Sequence, residues 1–287
     1  MGLLAAWLLV LGSSSLFGQG IQDDRGRILE VSSRGKIVSG FVGADEIVFE
    51  LLKDNPERIL AFSPLAKDRK YSAIYDRIGA WSKEFGPELE SLIGMKPDLV
   101  LVARYTRAEW IRILDHAKIK SFVLGNFSAL EDIKDNILII GRLLGKEKKA
   151  RSMVESMNKE ISTLKPKCFL KGKKVLNYSR DGIIFGKGTI FNSILNELEI
   201  ENRGSDLGVV GWSKVSRETI LKANPDYVIV GGNEEQRRKL LKEMKEQTGW
   251  KHLSAVQKGR VIIVPSRFLS SVSQYVVRGM EALCGQK

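Results

Sequence analysis

Two glutamates occupy matching places in two similar stretches, Glu90-Ser-Leu-Ile-Gly-Met-Lys-Pro-Asp98 and Glu218-Thr-Ile-Leu-Lys-Ala-Asn-Pro-Asp226. Each stands near a helix start, where the helix dipole favours a carboxylate. Groups suited to covalent or metal chemistry are few. The two histidines, His116 and His252, fall in no metal-ligand spacing and beside no nucleophile motif. A zinc or manganese site would want clustered imidazoles and carboxylates, which the chain does not offer. The stretch 181–188 is glycine-rich like a phosphate loop. However, its first glycine lies too close to Gly186, and Gly188 replaces the Ser or Thr that would bind magnesium. It reads as a hairpin-like turn. The only two cysteines, Cys168 and Cys284, could pair in an oxidising compartment.

The elements that must position these residues follow from pattern. In both copies of the repeat, apolar residues between glutamate and proline fit a short helix, and the residue before proline is steered out of helical dihedrals. Each aspartate then leads into a run without polar alternation (99–103 and 227–230), as expected for a strand buried on both faces of a parallel sheet. Further strands are expected at 36–40, 58–62, 121–124, 174–178 and 260–264. Helices are expected at 44–52, 107–117, 189–198 and 272–283. Strands alternating with helices at this spacing imply βαβ units. Ser128-Ala-Leu-Glu131 reads as a capping box opening a helix striped by Ile133, Ile137, Ile140 and Leu144. A second helix from about 146 to 164 carries Ala150, Met153, Met157 and Ile161. The expected fold class is α/β: two Rossmann-like lobes with mostly parallel sheets (36–140 and 173–287), joined by one long backbone helix (146–165), with a ligand cleft between them.

The 43% apolar and 28% charged content is that of a globular chain. Residues 1–20 carry no charge and contain an apolar run too short to span a bilayer, which predicts a cleaved signal peptide and export to the periplasm. The formal charge of +12 is spread through helical stretches mixed with glutamates. With no basic arm, RNP-like pattern or finger spacing, it reads as a solvated surface and gives no sign of nucleic-acid binding.

The chain resembles the helical-backbone solute-binding proteins of ABC importers, which carry cobalamin, ferric siderophores, haem or metal ions. The resemblance runs from about 36 to 284. It rests on Ile37-Val-Ser-Gly-Phe-Val-Gly-Ala-Asp45-Glu46, on 90–102, on Gly188-Thr-Ile-Phe-Asn192, on Gly211-Trp-Ser-Lys-Val-Ser-Arg-Glu218, and on 249–261. Gly40-Phe41 replaces the family's usual Ser-Pro. The resemblance implies a ligand held between the lobes by loops at strand carboxyl ends. The corresponding positions are Phe41, Trp81, Arg104, Tyr105, Tyr178, Arg180, Trp212, Arg267 and Phe268. Aromatic rings with interspersed arginines suit a large, flat, partly anionic chelate. The expected ligand is a corrinoid or ferric chelate, with no cofactor and no resident metal ion. The alternatives are a haem receptor, using Tyr71, Tyr75, Tyr105 or Tyr178 as axial ligand, and an exported α/β enzyme. Glu90 and Glu218 are expected to dock onto arginines of the permease, the protein being a monomer that meets the membrane only there.

Overall fold

The computed structural model describes residues 20–29, 34–79, 83–84, 89–179, 181–247 and 249–285. The expected leader (except Gly20), Trp81 and Arg180 lie outside these residues.

A short antiparallel hairpin, β1 (Ile21–Gln22) and β2 (Ile28–Leu29), precedes the first βα unit. That unit comprises β3 (Ile37–Ser39), α1 (Val42–Leu52), β4 (Ile59–Phe62), β5 (Lys83–Glu84), α2 (Leu89–Gly94), β6 (Leu99–Ala103), α3 (Ala108–His116) and β7 (Ser121–Leu124). Its sheet has the order β5-β4-β3-β6-β7, parallel throughout. β6 shows why its sequence lacks polar alternation. Leu99, Leu101 and Ala103 join the core on one face, while Val100 and Val102 join that on the other.

Two helices then cross to the second half. α4 (Leu130–Leu144) ends at Gly145 in the left-handed conformation (φ 65°), which lets the chain reverse into α5 (Glu147–Leu164). The long connecting helix expected at 146–165 is α5, preceded by α4 as the pattern indicates. Ile133, Ile137, Ile140 and Leu144 are all buried, as are Ala150, Met157 and Ile161; each fully buried aliphatic side chain contributes about 1.5–3 kcal/mol. The expected capping box is displaced by one residue. Ala129 is the N-cap, and the Asp132 carboxylate accepts from the Ser128 and Ala129 amides.

The second half comprises β8 (Lys174–Asn177), β9 (Ile183–Phe185), α6 (Ile190–Glu197), β10 (Glu201–Asn202), α7 (Arg203–Asp206), β11 (Trp212–Lys214), α8 (Arg217–Ala223), β12 (Tyr227–Gly231), α9 (Glu234–Glu246), α10 (Ser254–Gln257), β13 (Val261–Val264), α11 (Ser266–Leu269) and α12 (Val276–Cys284). Its parallel sheet has the order β10-β8-β12-β13. The turn expected at 181–188 is instead β9, paired antiparallel with the distant β11. The last helix starts at Val276, four residues later than its apolar pattern suggests, because 270–275 is an irregular segment laid against α1. Cys168 and Cys284 form a disulfide that fixes α12 to the end of the crossing hairpin. The main core runs continuously from Ile37 through α4, α5 and α12 to Ile262.

The repeated Pro-Asp has the same structural role in both halves. Asp98 donates its amide to Lys36 O (2.8 Å) and accepts the Lys36 amide on Oδ2 (2.7 Å). Asp226 does the same with Lys174, at 2.7 and 2.8 Å. Each aspartate thus clasps the lysine at the start of the neighbouring strand, Lys36 just before β3 and Lys174 as the first residue of β8.

Candidate functional site

Both sheets contain a topological switch point, between β3 and β6 in the first and between β8 and β12 in the second. Loops leaving adjacent strands diverge there and open a crevice at the carboxyl ends. The departing residues are Gly40-Phe41, Arg104-Tyr105, Tyr178-Ser179 and Gly231-Gly232. Three adjoining cavities occupy this space, and Ser266 lines all of them. One, of about 550 Å³, is walled by Phe41, Leu65, Tyr71, Tyr105, Phe185 and Val272. The second, of about 640 Å³, is more polar, with Lys70, Asn177, Tyr178, Gln236 and Lys239. The third, of about 590 Å³, runs against Arg69, Asn233 and Arg267.

Large apolar side chains collect around this opening while remaining accessible. Tyr105 is 71% exposed, Tyr71 45% and Leu65 47%. Phe41 lies buried beneath, edge-on to Tyr105 (6.3 Å between centroids) and to Phe127 (5.4 Å). Trp212, 70% exposed, is paired directly with Phe185 across the β9–β11 ribbon. Directly opposed residues share a face of such a ribbon. The indole therefore stands on the side from which Phe185 lines the cleft.

The remaining expected residues divide. Tyr178 lines the polar cavity, packed edge-on against the buried Trp250 at 4.9 Å. Arg267 faces the cleft, its guanidinium over the rings of Phe268 (4.7 Å) and Tyr75 (5.7 Å). Phe268 packs against the main core, so its role is support for Arg267. Arg104 turns away and pairs through Nε with Asp24 of the N-terminal hairpin at 2.9 Å. Asn192, part of the motif at 188–192, serves the fold: its Oδ1 accepts from Asn202 Nδ2 and Ser205 Oγ. Leu65 lies in the loop 63–71 that the resemblance places at the ligand, while Phe185, Glu46 and Ser266 were missed; the signal for Ser266 was its place just beyond a strand end, after Pro265.

Two adjacent acids at the start of α1 lie under the cleft. Asp45 is wholly buried, and Ser63 donates both its amide (3.1 Å) and its hydroxyl to the carboxylate. Burial pushes the Asp45 carboxyl up to about 7, against the opposing pull of Ser63. Glu46 is buried yet lines the aromatic cavity. It accepts the Ala73 amide (2.6 Å) and the Ser273 hydroxyl, and burial raises it to about 7 as well, the neighbouring Asp45 adding to the rise. Both carboxyls are held by donors from the fold. Among the described residues no group of three or more His, Cys, Asp or Glu converges to hold a metal ion.

Glu90 and Glu218 are each the second residue of a short helix, α2 and α8, and both are exposed. Glu218 pairs with Lys222 at 3.0 Å, and the Ser216 hydroxyl caps α8 by accepting from the Thr219 amide.

The chain is 27% identical over 205 residues to an uncharacterized ABC transporter substrate-binding lipoprotein of Bacillus subtilis (strain 168), covering 68% of this chain and 63% of that protein. It is 27% identical over 213 residues to the vitamin B12-binding protein of Salmonella typhi, covering 73% and 75%. The structure of a possible iron-binding (periplasmic solute-binding) protein from Staphylococcus epidermidis superposes with a TM-score of 0.74 at 24% identity, covering 88% of this chain and 98% of that one. That likeness establishes the fold. The family model for periplasmic binding proteins matches residues 37–268, and the chain belongs to that family.

Proposed function

We propose that this protein is the substrate-binding component of an ABC importer, acting outside the cytoplasm, where it captures a metal chelate of corrinoid or ferric siderophore type and hands it to the permease. The observation that carries this reading is the convergence of Phe41, Leu65, Tyr71, Tyr105 and Phe185 on one opening at the two switch points. Accessible rings supply broad apolar contact at little rotamer cost, which fits a large flat ligand better than a small ion. Arg267, Arg69, Lys70 and Lys239 on the other walls suit carboxylate or phosphate groups on its periphery. The relatives named for vitamin B12 and for iron agree with this class.

An exported enzyme is the rival reading, and the two perturbed acids are the feature that favours it. Their oxygens are already engaged by Ser63, Ala73 and Ser273, and both serines are themselves buried, which favours binding without turnover. The deciding measurement is tryptophan fluorescence quenching by cobalamin, haemin and several ferric siderophores. Saturable, stoichiometric binding of one of them without chemical conversion is expected. Failure of all of them, or conversion of one, would overturn the proposal. Delivery is tested separately: reversing the charge at both Glu90 and Glu218 leaves ligand affinity intact and abolishes uptake, whereas weakened binding with normal uptake would exclude a docking role.

A further inference from the structure

Two irregular segments supply part of the aromatic cavity's wall, and neither has a ladder of its own to hold it. One, at 68–79, carries Tyr71; the other, at 270–275, carries Ser271 and Val272. They come from opposite ends of the sequence and meet at one side chain. Glu46 Oε1 accepts the Ala73 amide, two residues beyond Tyr71. Glu46 Oε2 accepts the Ser273 hydroxyl, one residue beyond Val272, and the Glu46 carbonyl accepts Gln274 Nε2 at 3.0 Å. The backbone itself comes close here, since a Cβ on Gly43 would sit 2.6 Å from Val272 Cγ2. One helical turn further along the same face of α1, Glu50 makes a second tie, accepting the Tyr275 hydroxyl (2.8 Å) and pairing with Arg77 (2.8 Å).

We propose that Glu46 is the positioning residue of the cleft: its carboxyl sets the spacing between the segment bearing Tyr71 and the segment bearing Val272, and so the width of the slot that receives the ligand. The inference rests on reading the cleft as the ligand site. Each oxygen is engaged by one of these bonds, so Glu46 acts through the two segments. The Glu50 tie to Tyr275 and Arg77 is independent of the Glu46 bonds and remains available to hold the C-terminal segment on α1 when Glu46 is altered.

The test uses the full mature chain with Glu46→Ala, Glu46→Gln and Ser273→Ala. Glutamine retains both bonds, its oxygen accepting from Ala73 and its amide donating to Ser273 Oγ; alanine retains neither. Hydrogen–deuterium exchange, which needs no ligand, should accelerate about tenfold or more at 71–75 and 270–275 in Glu46→Ala, staying near wild type in Glu46→Gln. Affinity for whichever of cobalamin or a ferric siderophore binds the wild type should fall about 10- to 100-fold in Glu46→Ala and within about threefold in Glu46→Gln. Ser273→Ala, which removes one hydroxyl and carries the comparison if Glu46→Ala does not fold, should fall between. Unchanged exchange in Glu46→Ala overturns the proposal. So does a loss in Glu46→Gln equal to that in Glu46→Ala, which would assign the role to charge. If no probe binds the wild type, the binding reading fails, while the exchange comparison still decides whether Glu46 positions the segments.

Discussion

Tyr105 stands 71% exposed on a loop with little burial of its own, and Phe41 lies beneath it. Tyr105→Ala should therefore weaken chelate binding by about tenfold while leaving thermal stability within about 0.5 kcal/mol. Titration and a melt on the same preparation check both halves of that statement. Asp45 calls for the opposite experiment. Its carboxyl sits near 7 when folded against an ordinary 3.8, so the folded protein holds that proton more tightly than the unfolded chain does. Its contribution then turns against folding as pH rises from about 4 to about 7, and the loss is complete above that range. Asp45→Asn should gain on wild type by about 4 kcal/mol between those limits, seen as a difference in melting temperature that grows with pH. A difference independent of pH would count against a raised carboxyl. At this scale the sequence yields side chains that follow directly on strand ends, as Phe41, Tyr105 and Tyr178 do. It hides any group whose partner is remote. Arg104 reads as a cleft cation, yet Asp24 takes it, and Glu46 finds Ser273 only after 227 residues.

Among the elements, the two Pro-Asp strands are the most legible, because proline, aspartate and a β-branched run each constrain the backbone locally. What the pattern could not convey is why aspartate recurs. Asp98 and Asp226 clasp Lys36 and Lys174, at the starts of other strands whose adjacency is a property of sheet order. Replacing either by alanine should cost about 1–2 kcal/mol, and the double variant should be nearly additive because the clasps lie in different sheets. Chemical denaturation of the four proteins tests this; strong non-additivity would mean that the halves share more than their common core. The β9–β11 ribbon was illegible for a related reason. Three residues pair with three others 27–31 positions on, and the glycine-rich approach at 181–188 looks like a local turn.

For the molecule as a whole, the central observation is that two similar sheets present their switch points to one shared space. The alternation of strands and helices made the two sheets foreseeable. It also gave the two helices of the crossing, but not that α12 runs back across them and is fixed by the disulfide between Cys168 and Cys284. That crosslink closes a loop of 116 residues, and replacing both cysteines by serine should lower stability by about 3–5 kcal/mol. The measurement is a melt of the double variant beside the oxidised wild type; a negligible shift would show that packing alone holds α12.

The way residues 271–275 lie on α1 also bears on how the protein is made. The first helix among the described residues is completed by one of the last segments, with partners separated by 225–228 positions. A ribosome delivers the chain from its N-terminus, so Glu46 and Glu50 emerge early and wait, without their partners, until nearly all of the rest has followed. Such late, distant closure slows folding and leaves a largely assembled first half unfinished along the way. The ability to bind should therefore appear last, only when the final helix has come home.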